Sequence, residues 1–188
     1  MRLFVAINLP GPFREELAAL IARLKRDITG PKWVRAEGIH LTLRFLGEVG
    51  EAELPRLLAA LSTVADGAGQ SFTVHVGGLG LFPEQGRPRV LWIGLHEATG
   101  ALAALQGRIE SAVRAEGLPG IKNEDRSFRP HLTLARLDDA GASIPMKVFV
   151  GSHGAEHLGS FEVSTVTLFR SILGPGGARY DPIQEYRL

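Results

Sequence analysis

The chain has 188 residues, 45% of them hydrophobic and 22% charged, which is the balance of a soluble globular protein of about one domain. It contains no cysteine, which excludes disulfides, thiolate metal sites and a cysteine nucleophile. The formal net charge of +1 provides no long-range attraction for nucleic acid, so an anionic substrate must be bound by local positive charge.

The first half of the chain alternates between strand and helix patterns. Arg2–Asn8 is an apolar run typical of a buried strand and ends before Pro10, so it is too short for a signal peptide or a membrane span. We therefore expect a cytoplasmic protein with no membrane attachment. Apolar residues at helical spacing predict helices over about 17–28 and 54–64, separated by a strand over about His40–Leu46.

The rest of the chain repeats this alternation but ends in strands. The predicted elements, in order, are strands over 71–76 and 89–95 joined by a loop over 77–88, a helix over 99–116, and strands over 131–136, 161–171 and from the turn at 174–177 to Leu188. The glycine-rich segment 77–80 lacks the helix that follows a phosphate-binding loop, so it is interpreted as a turn. Pro182 makes the last strand an edge strand.

The most informative feature is the tetrapeptide His-Leu-Thr-Leu, which begins at His40 and again at His131. Within a strand, residues i and i+2 share a face, so each histidine points the same way as Thr42 or Thr133 while the leucines enter the core. A single histidine on a strand is ordinarily a surface side chain. An accidental repeat with the same threonine and apolar partners is improbable, and the pair indicates acid–base chemistry on a phosphate.

The order of the elements is compatible with two similar lobes related by a pseudo-twofold axis. We predict an α+β fold in which one bilobal domain spans residues 1–188 and each lobe has a small, mainly antiparallel sheet backed by helices. The two motif strands would then line a cleft between the lobes, which is a common place for an active site. We also expect the protein to be a monomer.

Several segments together carry a resemblance to a known family: RLFVAINLP, KWVRAEGIHLTLRFLGEV, RPRVLWIGL, SFRPHLTLAR and VTLFRSILGPGGARYDPIQEYRL. They resemble the 2H phosphoesterases and, within them, the bacterial RNA 2′,3′-cyclic phosphodiesterases, also called 2′-5′ RNA ligases. The resemblance implies hydrolysis of an RNA or nucleotide 2′,3′-cyclic phosphate end to a 2′-phosphomonoester, with neither metal nor cofactor. In some members it also implies reversible, ATP-independent 2′-5′ ligation of RNA ends.

The resemblance also assigns roles to individual residues by motif position. It implies that His40 is the proton donor and His131 the proton acceptor. Thr42 and Thr133 would hold the phosphate oxygens, and Arg136, five residues after the second histidine, would add a positive contact. Because the two motifs are nearly symmetric, the assignment of the histidine pair is firmer than the assignment of acid and base within it.

Three aromatic residues lie in or beside the predicted cleft segments, and one of them could stack on a base. Trp33 is more often a core residue than a stacking platform. Strict alternation from His40 sends Phe45 to the leucine face unless a bulge intervenes. Phe82, on the predicted long loop, is therefore the expected stacking residue.

Local positive charge accompanies both motifs. The cations are Lys32, Arg35 and Arg44 near the first motif and Lys122, Arg126, Arg129 and Arg136 near the second.

Alternatives remain open at this point. His153 and His157 form a His-x-x-Glu-His pattern, but the surrounding glycines predict a polar loop rather than the helix that zinc chemistry of this type requires. The same two-histidine site could act on ADP-ribose 1″,2″-cyclic phosphate or a 2′-5′ oligonucleotide. A non-catalytic module could bind RNA ends without turning them over.

Overall fold

The computed structural model describes residues 1–67, 69–121, 127–137, 143–174 and 177–188. Lys122 and Arg126, which the sequence analysis included among the local cations, and part of the predicted 174–177 turn lie outside these ranges. Within the described residues, no helix is long and apolar enough to cross a membrane.

Nine strands and four α-helices are present within the described ranges. The strands are β1 (Arg2–Asn8), β2 (Lys32–Trp33), β3 (His40–Glu48), β4 (Phe72–Phe82), β5 (Val90–His96), β6 (His131–Arg136), β7 (His157–Val163), β8 (Thr165–Gly174) and β9 (Gly177–Arg187). The helices are α1 (Gly11–Asp27), α2 (Leu54–Asp66), α3 (Ala101–Glu116) and α4 (Ser143–His153). A short 3₁₀ turn, Ala36–Gly38, precedes β3.

The strands form two antiparallel sheets that each contain one motif strand. Sheet A has the order β3-β1-β8-β9, and sheet B has the order β2-β6-β5-β4-β7. Helices α2 and α3 pack on each other and against β9 and β3 of sheet A, while α1 and α4 pack against β7 and β4 of sheet B. The predicted two-lobed α+β fold is therefore confirmed.

The two halves of the chain exchange strands. The first half contributes β1 and β3 to sheet A but sends β4 to sheet B, where it pairs with β5. The second half contributes β5 and β6 to sheet B but sends β8 to sheet A, where it pairs with β1. Each motif strand thus lies beside the first strand of its own half, and each sheet is completed by the other half.

The alternation of β1 separates two apolar clusters. Leu3, Val5 and Ile7 point into the main core between the sheets and the helices. Phe4 and Ala6 point the other way and, with Phe169 of β8, form a smaller cluster on the face that carries His40. This second cluster places buried aromatic rings directly beside a histidine.

The predicted single strand over 161–171 is wrong, because the chain changes sheets within it. β7 ends at Val163 and pairs with β4 in sheet B, whereas β8 begins at Thr165 and pairs with β1 in sheet A. One residue, Ser164, separates the two strands. Buried valines lie on both sides of the break, Val163 before it and Val166 after it, so the local pattern contains no signal for the change of sheet.

Two predicted loops are also wrong. The segment 77–80 is not a turn, because β4 continues through it to Phe82 with a bulge between Gly77 and Leu79. A Cβ at Gly80 would overlap the indole ring of Trp92, so glycine is needed there for close packing rather than for chain reversal. The segment before residue 154 is the end of helix α4 rather than a polar loop.

Candidate active site

The four motif side chains and Arg136 line one cavity between the two sheets. Its volume is about 290 Å³, and its walls include His40 and Thr42 from β3 with His131, Thr133 and Arg136 from β6. The fold thus brings together five of the six residues predicted for the site. The sixth, Phe82, does not line this cavity.

Matching β-bulges determine which side chains enter the cavity. In β3, Thr42 pairs with Ala6 and Arg44 with Val5, which leaves Leu43 as the extra residue. In β6, Thr133 pairs with Trp92 and Ala135 with Leu91, which leaves Leu134 as the extra residue. A bulge reverses the alternation beyond it, so the residue at i+5 from each histidine returns to the histidine face. These residues are Phe45 and Arg136, and both line the cavity.

Both imidazoles are held in the same way by the backbone. His40 Nδ1 lies 3.0 Å from the carbonyl oxygen of Gly38, and His131 Nδ1 lies 2.7 Å from the carbonyl oxygen of Arg129. Because a carbonyl only accepts hydrogen bonds, Nδ1 carries the proton in each ring. Nε2 is then the atom that takes up or gives away a proton, which fixes the reactive nitrogen of both histidines.

His40 is enclosed by aromatic rings. The ring of Phe4 stacks on it at 4.7 Å, and the edge of Tyr180 approaches at 4.9 Å. Burial lowers the pKa of His40 to about 4, although the hydrogen bond to the Gly38 carbonyl acts in the opposite direction. Without a bound anion, His40 is therefore neutral near pH 7.

His131 has a different surrounding. Phe82 contacts its ring edge-on at 4.9 Å, and Trp92 lies 6.3 Å away. Phe82 is the last residue of β4 rather than part of a long loop, so its predicted location is wrong. Its position beside a histidine, outside the cavity, makes it a support for the His131 ring, and its stacking role stays a prediction.

Sequence reasoning missed several residues of the cavity, among them Phe45 and Tyr180. Phe45 was assigned to the core side, yet 42% of it is exposed because the bulge at Leu43 turns it outward. The available signal was its i+5 spacing, which is the spacing that singled out Arg136. Tyr180 on β9 reaches His40 from a strand far away in sequence. No local pattern predicts that contact.

Arg44, one of the local cations near the first motif, faces the core instead of the cavity. Its Nε lies 2.5 Å from the Glu110 carboxylate on α3, and its side chain is 4% exposed. The bulge that turns Phe45 outward turns Arg44 inward. The positive charge of Arg44 is therefore neutralised by the Glu110 carboxylate and does not face the cavity.

The His153/His157 pair does not form the zinc arrangement that its spacing resembles. His153 is the last residue of α4, and His157 is the first residue of β7, so the two do not share a helix face. His153 stacks on Phe149 at 4.4 Å, and its Nε2 lies 3.3 Å from Asp27 on α1. The contact with Asp27 connects α4 to α1.

Two antiparallel sheets that face each other across a cleft with paired His-x-Thr motifs define the architecture of a two-lobed phosphoesterase. The model of the LigT-like phosphoesterase family matches residues 7–92 and again 93–180, so each match contains one motif. The chain belongs to this family, within the 2H superfamily, and is an enzyme of the phosphoesterase class.

Individual relatives agree with this assignment. An RNA 2′,3′-cyclic phosphodiesterase from Archaeoglobus fulgidus is 34% identical over 186 residues, covering 99% of both chains. A protein of the same description from Escherichia coli is 32% identical and covers 100% of this chain and 96% of its own. The crystal structure of E. coli LigT complexed with 3′-AMP has a TM-score of 0.78 at 28% identity, covering 100% of this chain and 97% of that chain.

Proposed function

We propose that the chain is an RNA 2′,3′-cyclic phosphodiesterase that opens the cyclic phosphate by two-histidine acid–base catalysis and leaves a 2′-phosphate. The observation that carries this proposal is the pair of imidazoles from opposite sheets on one cavity, each anchored through Nδ1. The family and the descriptions of the relatives support the same substrate class.

The chemistry needs a base and an acid on opposite sides of phosphorus. His131 takes a proton from water as the water oxygen attacks, and His40 gives a proton to the departing 3′ oxygen. Negative charge accumulates on the equatorial phosphate oxygens, where Thr42, Thr133 and Arg136 donate hydrogen bonds. Protonation of the leaving oxygen and opening of the cyclic phosphate supply what a metal would otherwise provide, so the reaction runs without metal or cofactor.

The acid role of His40 depends on the substrate. Its lowered pKa keeps it neutral in the free enzyme. A bound phosphate anion favours the charged imidazole, because an opposite charge within a few ångströms raises the pKa of a histidine. His40 therefore becomes a competent acid when the substrate is bound.

Phe45 is the residue best suited to hold the terminal base, since Arg136 contacts the phosphate. Its ring lines the cavity and is 42% exposed. A phenyl ring stacks on a base regardless of its identity, with about 1–3 kcal/mol per stacked base. In this proposal the base stacks on Phe45 and not on Phe82, the residue expected from the sequence.

The decisive experiment incubates the protein with adenosine 2′,3′-cyclic monophosphate and resolves the 2′ and 3′ products. We expect 2′-AMP, with the rate unchanged after exhaustive chelation. A binding module would leave the substrate intact. Mainly 3′-AMP would mean that the substrate binds in the reverse orientation, and the acid and base roles would be exchanged. Loss of activity on chelation and recovery with zinc or manganese would reject the metal-independent scheme.

The same assay separates the remaining alternatives. ADP-ribose 1″,2″-cyclic phosphate and a 2′-5′ oligonucleotide are offered in parallel, and we expect the 2′,3′-cyclic RNA end to have the highest kcat/KM. An RNA with a 5′-hydroxyl end is added in a separate arm, because that hydroxyl can replace water at His131 and form a 2′-5′ linkage.

A further inference from the structure

A second groove lies on sheet B beside the catalytic cavity. It has a volume of about 310 Å³ and is bordered by Gly80, Glu84 and Trp92 on the sheet side and by Lys147 of α4. The indole of Trp92 packs against the backbone of Gly80, where any side chain would overlap the ring. Trp92 and Phe82 are in contact, with ring centres 5.0 Å apart, and together form a continuous aromatic surface.

Arg129 lies on this aromatic surface. Its guanidinium is 5.1 Å from the Phe82 ring and 6.0 Å from the Trp92 ring, within the range of a cation–π interaction. The Phe82 ring in turn contacts His131. Arg129 is thus a cation one aromatic ring away from a catalytic histidine, and its position is held from below by two rings.

The partner of Arg129 is exchangeable. The guanidinium donates a hydrogen bond to the Glu84 carboxylate, but the Arg129 and Glu84 side chains are 48% and 60% exposed. Exposed ion pairs of this kind contribute roughly 0–1 kcal/mol, so another anion can replace the carboxylate at little cost. The rings beneath keep the guanidinium in place after the exchange.

We infer that Arg129, on the Phe82–Trp92 surface, binds the phosphodiester that precedes the terminal nucleotide of an RNA strand. This inference rests on the proposed function. The base and the 5′ oxygen leave the ribose from different carbons. With the base at Phe45 and the cyclic phosphate between the histidines, the 5′ strand leaves past His131 into the groove. There the phosphodiester displaces Glu84, and the preceding base lies against Trp92. The groove therefore favours RNA over a mononucleotide.

The test compares kcat/KM for a pentaribonucleotide ending in a 2′,3′-cyclic phosphate with kcat/KM for adenosine 2′,3′-cyclic monophosphate. Arg129→Ala removes one charge-assisted contact that only the longer substrate makes, so the ratio should fall about tenfold. Glu84→Gln removes the competing carboxylate, so the ratio should rise. Arg56→Ala is the matched control, because Arg56 is an exposed arginine paired with Glu116 on the far side of sheet A, and its ratio should stay at the wild-type value.

Salt dependence provides a readout that a structural defect would not change. The slope of log kcat/KM against log salt concentration for the pentamer should be shallower by about 0.7 in Arg129→Ala, as expected for one lost phosphate contact on a single strand. Arg129→Lys retains the charge and should retain most of the slope.

Each contrary result would reject a different part of the inference. An equal loss for both substrates in Arg129→Ala would overturn the inference, since it would mean that the variant merely displaces His131. A ratio that does not rise in Glu84→Gln would reject the displacement of Glu84. If the wild type hydrolyses neither substrate, the proposed function fails. The groove is then tested by the affinity for a pentamer ending in a 2′-phosphate, where equal affinities of wild type and Arg129→Ala would overturn it and a tenfold loss would support it.

Discussion

Phe45 and Arg136 occupy equivalent positions in the two motif strands, each five residues after its histidine and each turned into the cavity by a bulge. The histidines and threonines repeat with near-symmetry, but this third pair consists of a neutral ring and a cation. The difference breaks the symmetry of the cavity. If the cavity holds the phosphate as proposed, it gives a bound nucleotide one preferred orientation.

Phe45→Ala should weaken substrate binding more than it slows chemistry. Loss of one base-stacking surface costs about 1–3 kcal/mol, so we expect KM for a cyclic nucleotide to rise about 5- to 150-fold with a smaller change in kcat. Steady-state kinetics on adenosine 2′,3′-cyclic monophosphate measures both. Val148→Ala is the control. It removes an exposed apolar side chain of α4, away from β3, and should keep the wild-type KM. An unchanged KM in Phe45→Ala would remove Phe45 from the base site.

His40→Ala and His131→Ala should each abolish most turnover. A positioned acid or base contributes roughly 10²–10⁴-fold to the rate, and we expect losses of that order in kcat. Circular dichroism and thermal unfolding of each variant establish that the fold is retained. A variant that kept more than about a tenth of the wild-type rate would exclude that histidine from the mechanism.

Thr42→Ala and Thr133→Ala should have smaller effects than the histidine variants. Each removes one hydrogen bond to a charged phosphate, which contributes about 1.5–3 kcal/mol and corresponds to roughly 10- to 150-fold in kcat/KM. The pH profile of each variant should keep the shape of the wild-type profile at a lower rate. A threonine variant that loses one limb of the profile would mean that the hydroxyl takes part in proton transfer.

The pH dependence of kcat/KM should have an acid-side limb near pH 4. This parameter reports the free enzyme, in which burial lowers the pKa of His40 to about 4. Below that pH the histidine pair carries two protons, so no neutral histidine remains to act as the base. In kcat the bound anion raises the pKa of His40, so the same limb should move to higher pH. An acid-side limb of kcat/KM near the ordinary histidine value of about 6.5 would contradict this.

Tyr180→Ala provides the matched variant for the pH profile, since it opens the aromatic surrounding of His40. Because water then reaches the imidazole, the acid-side limb of kcat/KM should rise toward the ordinary value. The burial of His40 also makes the stability of the wild type depend on pH. The unfolded chain binds a proton on His40 at a higher pH than the folded chain does, so the free energy of unfolding should decrease as pH falls from about 6.5 to 4.

Glu110→Ala should destabilise the protein strongly. The carboxylate of Glu110 neutralises Arg44, whose side chain is 4% exposed, and breaking a buried pair by removing one partner costs about 3–5 kcal/mol. Glu116→Ala, which removes the exposed partner of Arg56, should cost about 1 kcal/mol or less. Chemical denaturation measures both. Equal effects of the two substitutions would mean that water reaches Arg44 in the folded protein.

The sequence was sufficient to predict the histidine pair, because both motifs repeat inside strands that alternate regularly up to Thr42 and Thr133. It was insufficient for Phe45, because a bulge is decided by the pairing of β3 with Val5 and Ala6 rather than by β3 itself. The exchange of sheets at Ser164 depends in the same way on partners distant in the chain. Gly80 was misinterpreted because a glycine needed for packing under Trp92 has the same local signature as one needed for a turn.

Because β4 and β8 each belong to the sheet of the other half, the chain cannot be cut into two fragments that each keep a complete sheet. A cut in the segment between β4 and β5 would produce two fragments, each holding a strand that the other sheet requires and each holding one of the two histidines. Either fragment alone would expose an unpaired strand edge beside an apolar face, a surface prone to aggregation. Mixed together, the fragments can rebuild both sheets only by recombining, and catalysis would then return as a direct report of reassembly.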